Sequence, residues 1–238
     1  MPPAALLLLI AFTPAEIQAR LAEVAPLREK RLYRGAPSIP AEAYARIASG
    51  EVVTGVVEVP GHAARKAWGV GVVDVGIDAL WAALNDETLQ AGGSAMAYAR
   101  VLRGAPCADG RDVLMVMDIP LMSDRWYINH NRYNQAVAAA SGGRVRELYW
   151  DLTPHPEELS IPAEARPLIE DAVYLPSNTG SWWLIALDDN HTILEYSSWS
   201  DPGGNIPAGP ATSFVAGTIE DSFDAMERIA RSGRSACR

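Results

Sequence analysis

The chain has 238 residues, 49% of them apolar and 21% charged, which suffices for one substantial core and suits a single all-β or α+β domain. Its formal net charge of -9 opposes phosphate backbones and anionic bilayers, both of which attract clustered Lys and Arg, so nucleic acid is not an expected partner. Cys107 and Cys237 are too few for a structural zinc site; a disulfide between them is open, and two free thiols are the simpler expectation.

The chain begins MPPAALLLLIAFTPAEIQA, with an apolar block from Ala4 to Phe12 and small residues at Ala15 and Ala19. This has the length and small-residue pattern of a secretory signal but lacks its basic start, so export to a periplasmic or extracellular space is the expectation. A short apolar helix docked on a cytoplasmic protein is the alternative. No run reaches the ~18 apolar residues of a membrane span. Leu21 to Arg34 has Leu at helical spacing, and Pro40 to Ile47 predicts a short helix closed by Gly50.

From Val52 the texture changes. Val52 to Val59 is β-branched and stops at Pro60-Gly61, a strand and a turn. Ala64 to Val75 alternates, with Trp68, Val70 and Val72 on one face and Ala67, Gly69, Gly71 and Val73 on the other. Ile77 to Leu84 returns to helical spacing. Strands are then predicted at Met96–Leu102, Val113–Ile119, Trp126–Arg132, Val145–Leu152, Ser181–Leu187 and Thr192–Trp199, with Asp188-Asp189-Asn190-His191 as the last hairpin turn. Pro210 to Ser232 places Phe214, Ile219, Phe223 and Met226 on one stripe of a long amphipathic helix. The expected organisation is an arm at 1–19, a helical segment at 20–50, one domain at 51–232 and a tail at 233–238.

A curved antiparallel sheet cannot close on a straight helix along its whole length, so a cavity is expected beneath the helix. The junction YSSWSDPGGNIPAG, Tyr196 to Gly209, turns the chain from the last strand into that helix and makes a natural gate. No GxSxG, HExxH, P-loop or EF-hand pattern is present, and Gly69-Val70-Gly71 continues as strand rather than opening a helix.

The order of elements, the stretch WGVGVVDVGIDALWAAL, Pro120-Leu121-Met122-Ser123-Asp124-Arg125 before a strand, and Asp201-Pro202-Gly203-Gly204 before the last helix together resemble START-type lipid-binding domains, of the superfamily that includes polyketide cyclases and Bet v 1-like proteins. The resemblance spans roughly Glu51 to Arg231. It implies an α+β helix-grip fold holding one hydrophobic ligand, commonly a lipid, without cofactor, metal or a set of catalytic residues. The partners expected are a lipid or other apolar small molecule and, at most, a transient membrane contact, for a monomer. A cyclase-like enzyme using the same cavity is the alternative.

The candidate ligand or gate residues are Arg125, Tyr127, Trp183, Glu195, Tyr196, Trp199 and Phe214. Each has a plainer reading. Arg125 beside Asp124 is more often a structural or rim charge. Glu195 is the outward position of an alternating strand on a half-solvated sheet, opposite Tyr196. Trp182 and Trp183 point to opposite faces, so one looks inward. His130 has no second His at metal-ligand spacing and reads as a polar strand residue.

Overall fold

The computed structural model describes residues 12–62, 64–91, 96–119, 123–203 and 208–237, side chains at 208–216 excepted. Helix α1 (Pro14–Val24) runs through a 3-10 turn to α2 (Ala41–Ile47), then a hairpin of β1 (Val53–Val57) and β2 (Lys66–Val73). Two short helices follow, α3 (Ile77–Leu84) and α4 (Glu87–Gln90), before β3 (Met96–Arg103), β4 (Arg111–Met117) and β5 (Arg125–Tyr133). The second half holds α5 (Gln135–Ala140), β6 (Val145–Leu152), α6 (Arg166–Ile169), β7 (Val173–Tyr174), β8 (Ser177–Ala186), β9 (Thr192–Asp201) and α7 (Ala208–Ser232).

The strands lie in the order β1-β2-β9-β8-β6-β5-β4-β3, every pair antiparallel, while the two-residue β7 adds in parallel to β5. This is the expected α+β helix-grip: α7 crosses the concave face, with Ile219, Phe223 and Met226 buried against it. Phe214 lies outside the described side chains, and Gly204 to Pro207 of the expected gate lie outside the described residues.

Glycine sets how close the helix comes. A Cβ at Gly69 would fall 2.4 Å from Ile219 Cγ2, and one at Gly71 would fall 3.2 Å from the Phe223 ring. Both glycines occupy concave-face positions of β2, so the helix side chains seat directly on backbone there. Gly69→Ala should force α7 away from β2 and cost about 1–3 kcal/mol of unfolding free energy by urea titration. A variant as stable as the parent would show that the contact is slack.

The convex face is covered as well. Trp68, Val70, Trp183, Ile185 and Ile193 pack against Ile17, Val24, Tyr44 and Ile47 of the N-terminal helices. Helix α1 is properly started: the Glu16 N–H donates to Thr13 Oγ1 at 3.3 Å and the Thr13 N–H donates to Glu16 Oε2 at 2.7 Å, a reciprocal capping box. Ala15 and Ala19, the small-residue sites suggested for signal cleavage, therefore fall within a packed helix whose Ile17 is fully buried. Residues 1–11 lie outside the described residues.

The cysteines correct a sequence expectation: Cys107 and Cys237 form a disulfide with Cα atoms 5.3 Å apart. They are 130 positions apart, and only the folded path brings them together. After α7 the tail folds back along α4, where the Ser235 hydroxyl and the Ala236 N–H donate to Asp86 Oδ2 at 3.1 and 2.9 Å. Cys107 waits in the β3–β4 turn, the one described non-glycine residue with positive φ, at 62°.

Candidate ligand cavity

Between α7 and the concave face lies a cavity of about 230 Å³. Period-two alternation decides what looks into it. Strand β5 contributes Arg125, Tyr127, Asn129 and Asn131; β4 contributes Met115 and Met117; β6 and β8 contribute Trp150, Asn178 and Trp182; β9 contributes Tyr196, Ser198 and Ser200. Helix α7 closes the space with Ser222, Ala225 and Met226.

The lining divides by chemistry. Thioethers, Leu84, Leu148, Leu175, Trp150 and Trp182 form an apolar wall, with Trp182 and Tyr196 in ring contact at 4.6 Å. A polar strip crosses it: Ser200 Oγ donates to Asn178 Oδ1, and Asn178 Nδ2 donates to Asn129 Oδ1 at 3.0 Å. Beside the strip, Tyr127 Oη donates to Met117 Sδ at 3.6 Å. Burial pushes the phenols of Tyr127 and Tyr196 above their ordinary range, so both stay neutral.

Arg125 is almost wholly buried, and its guanidinium donates to carbonyl oxygens of Ser123, Asp124, Pro202 and Gly203. Burial lowers its pKa, partly offset by nearby Asp124. The side chain ties the start of β5 to the end of β9, and it brings a positive charge to the cavity wall. The remaining charged lining residue among those described, Arg65, is also cationic and pairs with Glu58 at 3.3 Å.

A second set of buried polar residues stands at the α4 side. Glu87 Oε1 accepts from Arg111 Nε at 2.8 Å and from Asn131 Nδ2 at 3.1 Å, and Arg111 also donates to Asn85 Oδ1 and Tyr133 Oη. Asn131 links this ion pair to the cavity.

Arg125, Tyr127 and Tyr196 thus lie together on the cavity wall, whereas Trp183, Glu195 and Trp199 do not. Trp183 faces the convex side, fully buried, with the Arg31 guanidinium 4.3 Å from its ring centroid. Glu195 shares that face and is 1% exposed, correcting its reading as a solvated outward residue. The N-terminal segment covers it: Arg28, Arg31 and the Tyr44 hydroxyl all donate to its carboxylate. Burial alone would raise the Glu195 pKa, but the two guanidiniums hold it at about 2. Trp199 donates from Nε1 to the Ala64 carbonyl at 3.2 Å and stacks edgewise on His62. His130 pairs on the same outer side with Asp112, Nδ1 to Oδ1 at 2.8 Å. Among the described residues, His155, Glu157 and Glu158 are near enough to share a metal ion; they are exposed and none lines the cavity.

Asn129, Asn131, Asn178 and the methionines were absent from the sequence-based candidates. Their inward side follows from register: Asn178 pairs with Ser200, and Asn131 with Arg111 on β4.

No family model matches the chain, and no curated protein matches it in sequence. Solved structures do. A fragment of the STAR-related lipid transfer protein of Xanthomonas axonopodis is similar at 20% identity and a TM-score of 0.61, over 76% of this chain and 93% of that one. Human StAR-related lipid transfer protein 5 is similar at 13% identity and a TM-score of 0.61, covering 93% and 99% of the two chains. Human STARD10 is similar at 12% identity and a TM-score of 0.60, covering 84% and 83%. The chain therefore has the START helix-grip fold.

Proposed function

We propose that the protein binds an amphiphilic, lipid-like small molecule in the cavity beneath α7 and carries or senses it as a monomer, touching membranes only in passing. The observation that supports this most is the cavity's composition: an apolar wall of Met, Leu and Trp, a hydrogen-bonded strip of Asn and Ser, and two arginines as its charged groups among the described residues. Such a surface suits a hydrocarbon body with polar or anionic groups at one side. The solved structures of lipid transfer proteins with this fold agree with that reading. A cyclase-like reaction would call for an acid or base in the cavity. The neutral phenols of Tyr127 and Tyr196 and the two arginines serve that role poorly, so the enzyme reading stands second.

Native mass spectrometry of protein purified from its own host should show a co-purifying lipid-like mass. Met115→Trp, which fills part of the cavity, should lower that occupancy about tenfold at a stability cost of no more than about 1–3 kcal/mol, Met115 being packed in the core. An empty parent protein that turns over an aromatic polyketide would overturn the carrier reading. We further propose that the protein works in an oxidising compartment, periplasmic or extracellular, since disulfides persist there. Fractionation with cytoplasmic markers would contradict this.

A further inference from the structure

Two polar side chains on the wall of the cavity beneath α7 spend their donors on sulfur. Tyr127 Oη reaches Met117 Sδ at 3.6 Å, and Asn129 Nδ2 reaches Met115 Sδ at 4.0 Å. All four residues line the cavity, and Tyr127, Asn129 and Met115 are at most 8% exposed. A thioether is a weak acceptor, so the chain gives neither donor the strong partner that buried donors ordinarily find.

Register makes the two contacts parallel. Met115 stands opposite Tyr127 and Val113 opposite Asn129, so each donor slants by one two-residue step along β4. The Asn129 amide is oriented from its other side: Oδ1 accepts from Asn178 Nδ2 at 3.0 Å, and Asn178 Oδ1 accepts from Ser200 Oγ. Turning the Asn129 amide over would set one NH2 group against another. The hydrogen bonds therefore run in one direction, from Ser200 through Asn178, and end on an Asn129 N–H polarised by the bonds behind it.

We infer that Tyr127 and Asn129 form a subsite for a carbonyl-type oxygen carried within the apolar body of the guest, as in a ketone or an ester. This deepens the carrier reading above and rests on it. A carbonyl brings lone pairs and no proton, which suits two neighbouring donors better than an alcohol, whose own proton would be left to a thioether or to the Tyr127 oxygen. Guest oxygen replaces sulfur at the donors, and the unbranched methionine side chains settle against hydrocarbon instead.

The test uses the full chain and two uncharged probes, the fluorophore phenylnaphthylamine and methyl heptyl ketone isotope-labelled at its carbonyl. Displacement of the fluorophore gives the ketone's affinity, and the carbonyl stretch of the bound ketone reads its hydrogen bonding directly. In the parent that stretch should lie below its position in hexane. Tyr127→Phe keeps the ring and removes a hydroxyl held by sulfur; it should raise the stretch and weaken the ketone relative to the fluorophore about three- to tenfold. Met117→Leu, close in volume, frees the same hydroxyl and should tighten the ketone about two- to threefold. A stretch at the hexane position, or one that Tyr127→Phe leaves in place, would overturn the subsite while binding of the fluorophore upholds the cavity. Failure of both probes to bind would overturn the carrier reading and the subsite with it.

Discussion

Glu195→Gln is expected to lower the unfolding free energy by about 3–5 kcal/mol at pH 7, the cost of leaving the buried Arg31 and the half-buried Arg28 beside a neutral amide. The pH dependence has a definite sign. With its folded pKa held at about 2, below the ordinary 4.5, Glu195 contributes stability that is fully present above about pH 4.5. That contribution, about 3 kcal/mol, disappears as pH falls toward 2. Urea titrations of parent and variant at several pH values should show the gap closing over that window. Ligand occupancy of the cavity beneath α7 should be unaffected, because Glu195 is on the far face. Equal stabilities at pH 7 would mean that the buried ion pairs are dispensable.

Replacing both cysteines, Cys107→Ser with Cys237→Ser, should cost about 2–5 kcal/mol. The crosslink spans 130 residues, and a loop of that size removes much of the unfolded chain's freedom. Denaturant unfolding with and without reductant measures the parent, and the double variant should match the reduced form. Thiol alkylation without reductant should leave protein from the host unmodified; labelling of both cysteines would refute the bond.

Much of the fold is legible because periodicity is local. Ile77–Leu84 and Val145–Leu152 have the boundaries their patterns indicate, and the two faces of β2 divide as its alternation indicates. Strand β8 begins at Ser177 rather than Ser181; the turn-type residues Ser177-Asn178-Thr179-Gly180 hide that start from the sequence pattern, although all four pair with β9. There Asn178 faces the cavity, and a Cβ at Gly180 would fall 2.4 Å from the Trp150 ring. Residues 135–140 form α5, a helix too short to announce itself by periodicity.

The cavity was harder to read, since alternation pairs residues without saying which set faces inward. It separates Trp182 from Trp183 and Glu195 from Tyr196, yet inwardness follows from where α7 lies. Polar side chains then mislead twice. Asn129, Asn131 and Asn178 look solvent-facing and line the interior, while Glu195 looks solvent-facing and lies under a segment more than 150 residues earlier. The disulfide is invisible for the same reason: nothing local couples a turn to the chain's end.

The strip from Asn129 through Asn178 to Ser200 bears on what the cavity refuses. Polar groups that face an open cavity are ordinarily hydrated, so on the proposed ligand-binding reading an occupant has to replace that hydration. A plain hydrocarbon gives nothing back for the lost hydration, leaving amide groups dry at about 1–3 kcal/mol apiece. A molecule with a hydroxyl or carbonyl at the right height restores those bonds while its hydrocarbon body covers Trp150 and Trp182. On the proposed reading, selection among guests of equal bulk turns on what replaces water at three side chains, with roughly tenfold to several-hundredfold discrimination expected from hydration alone.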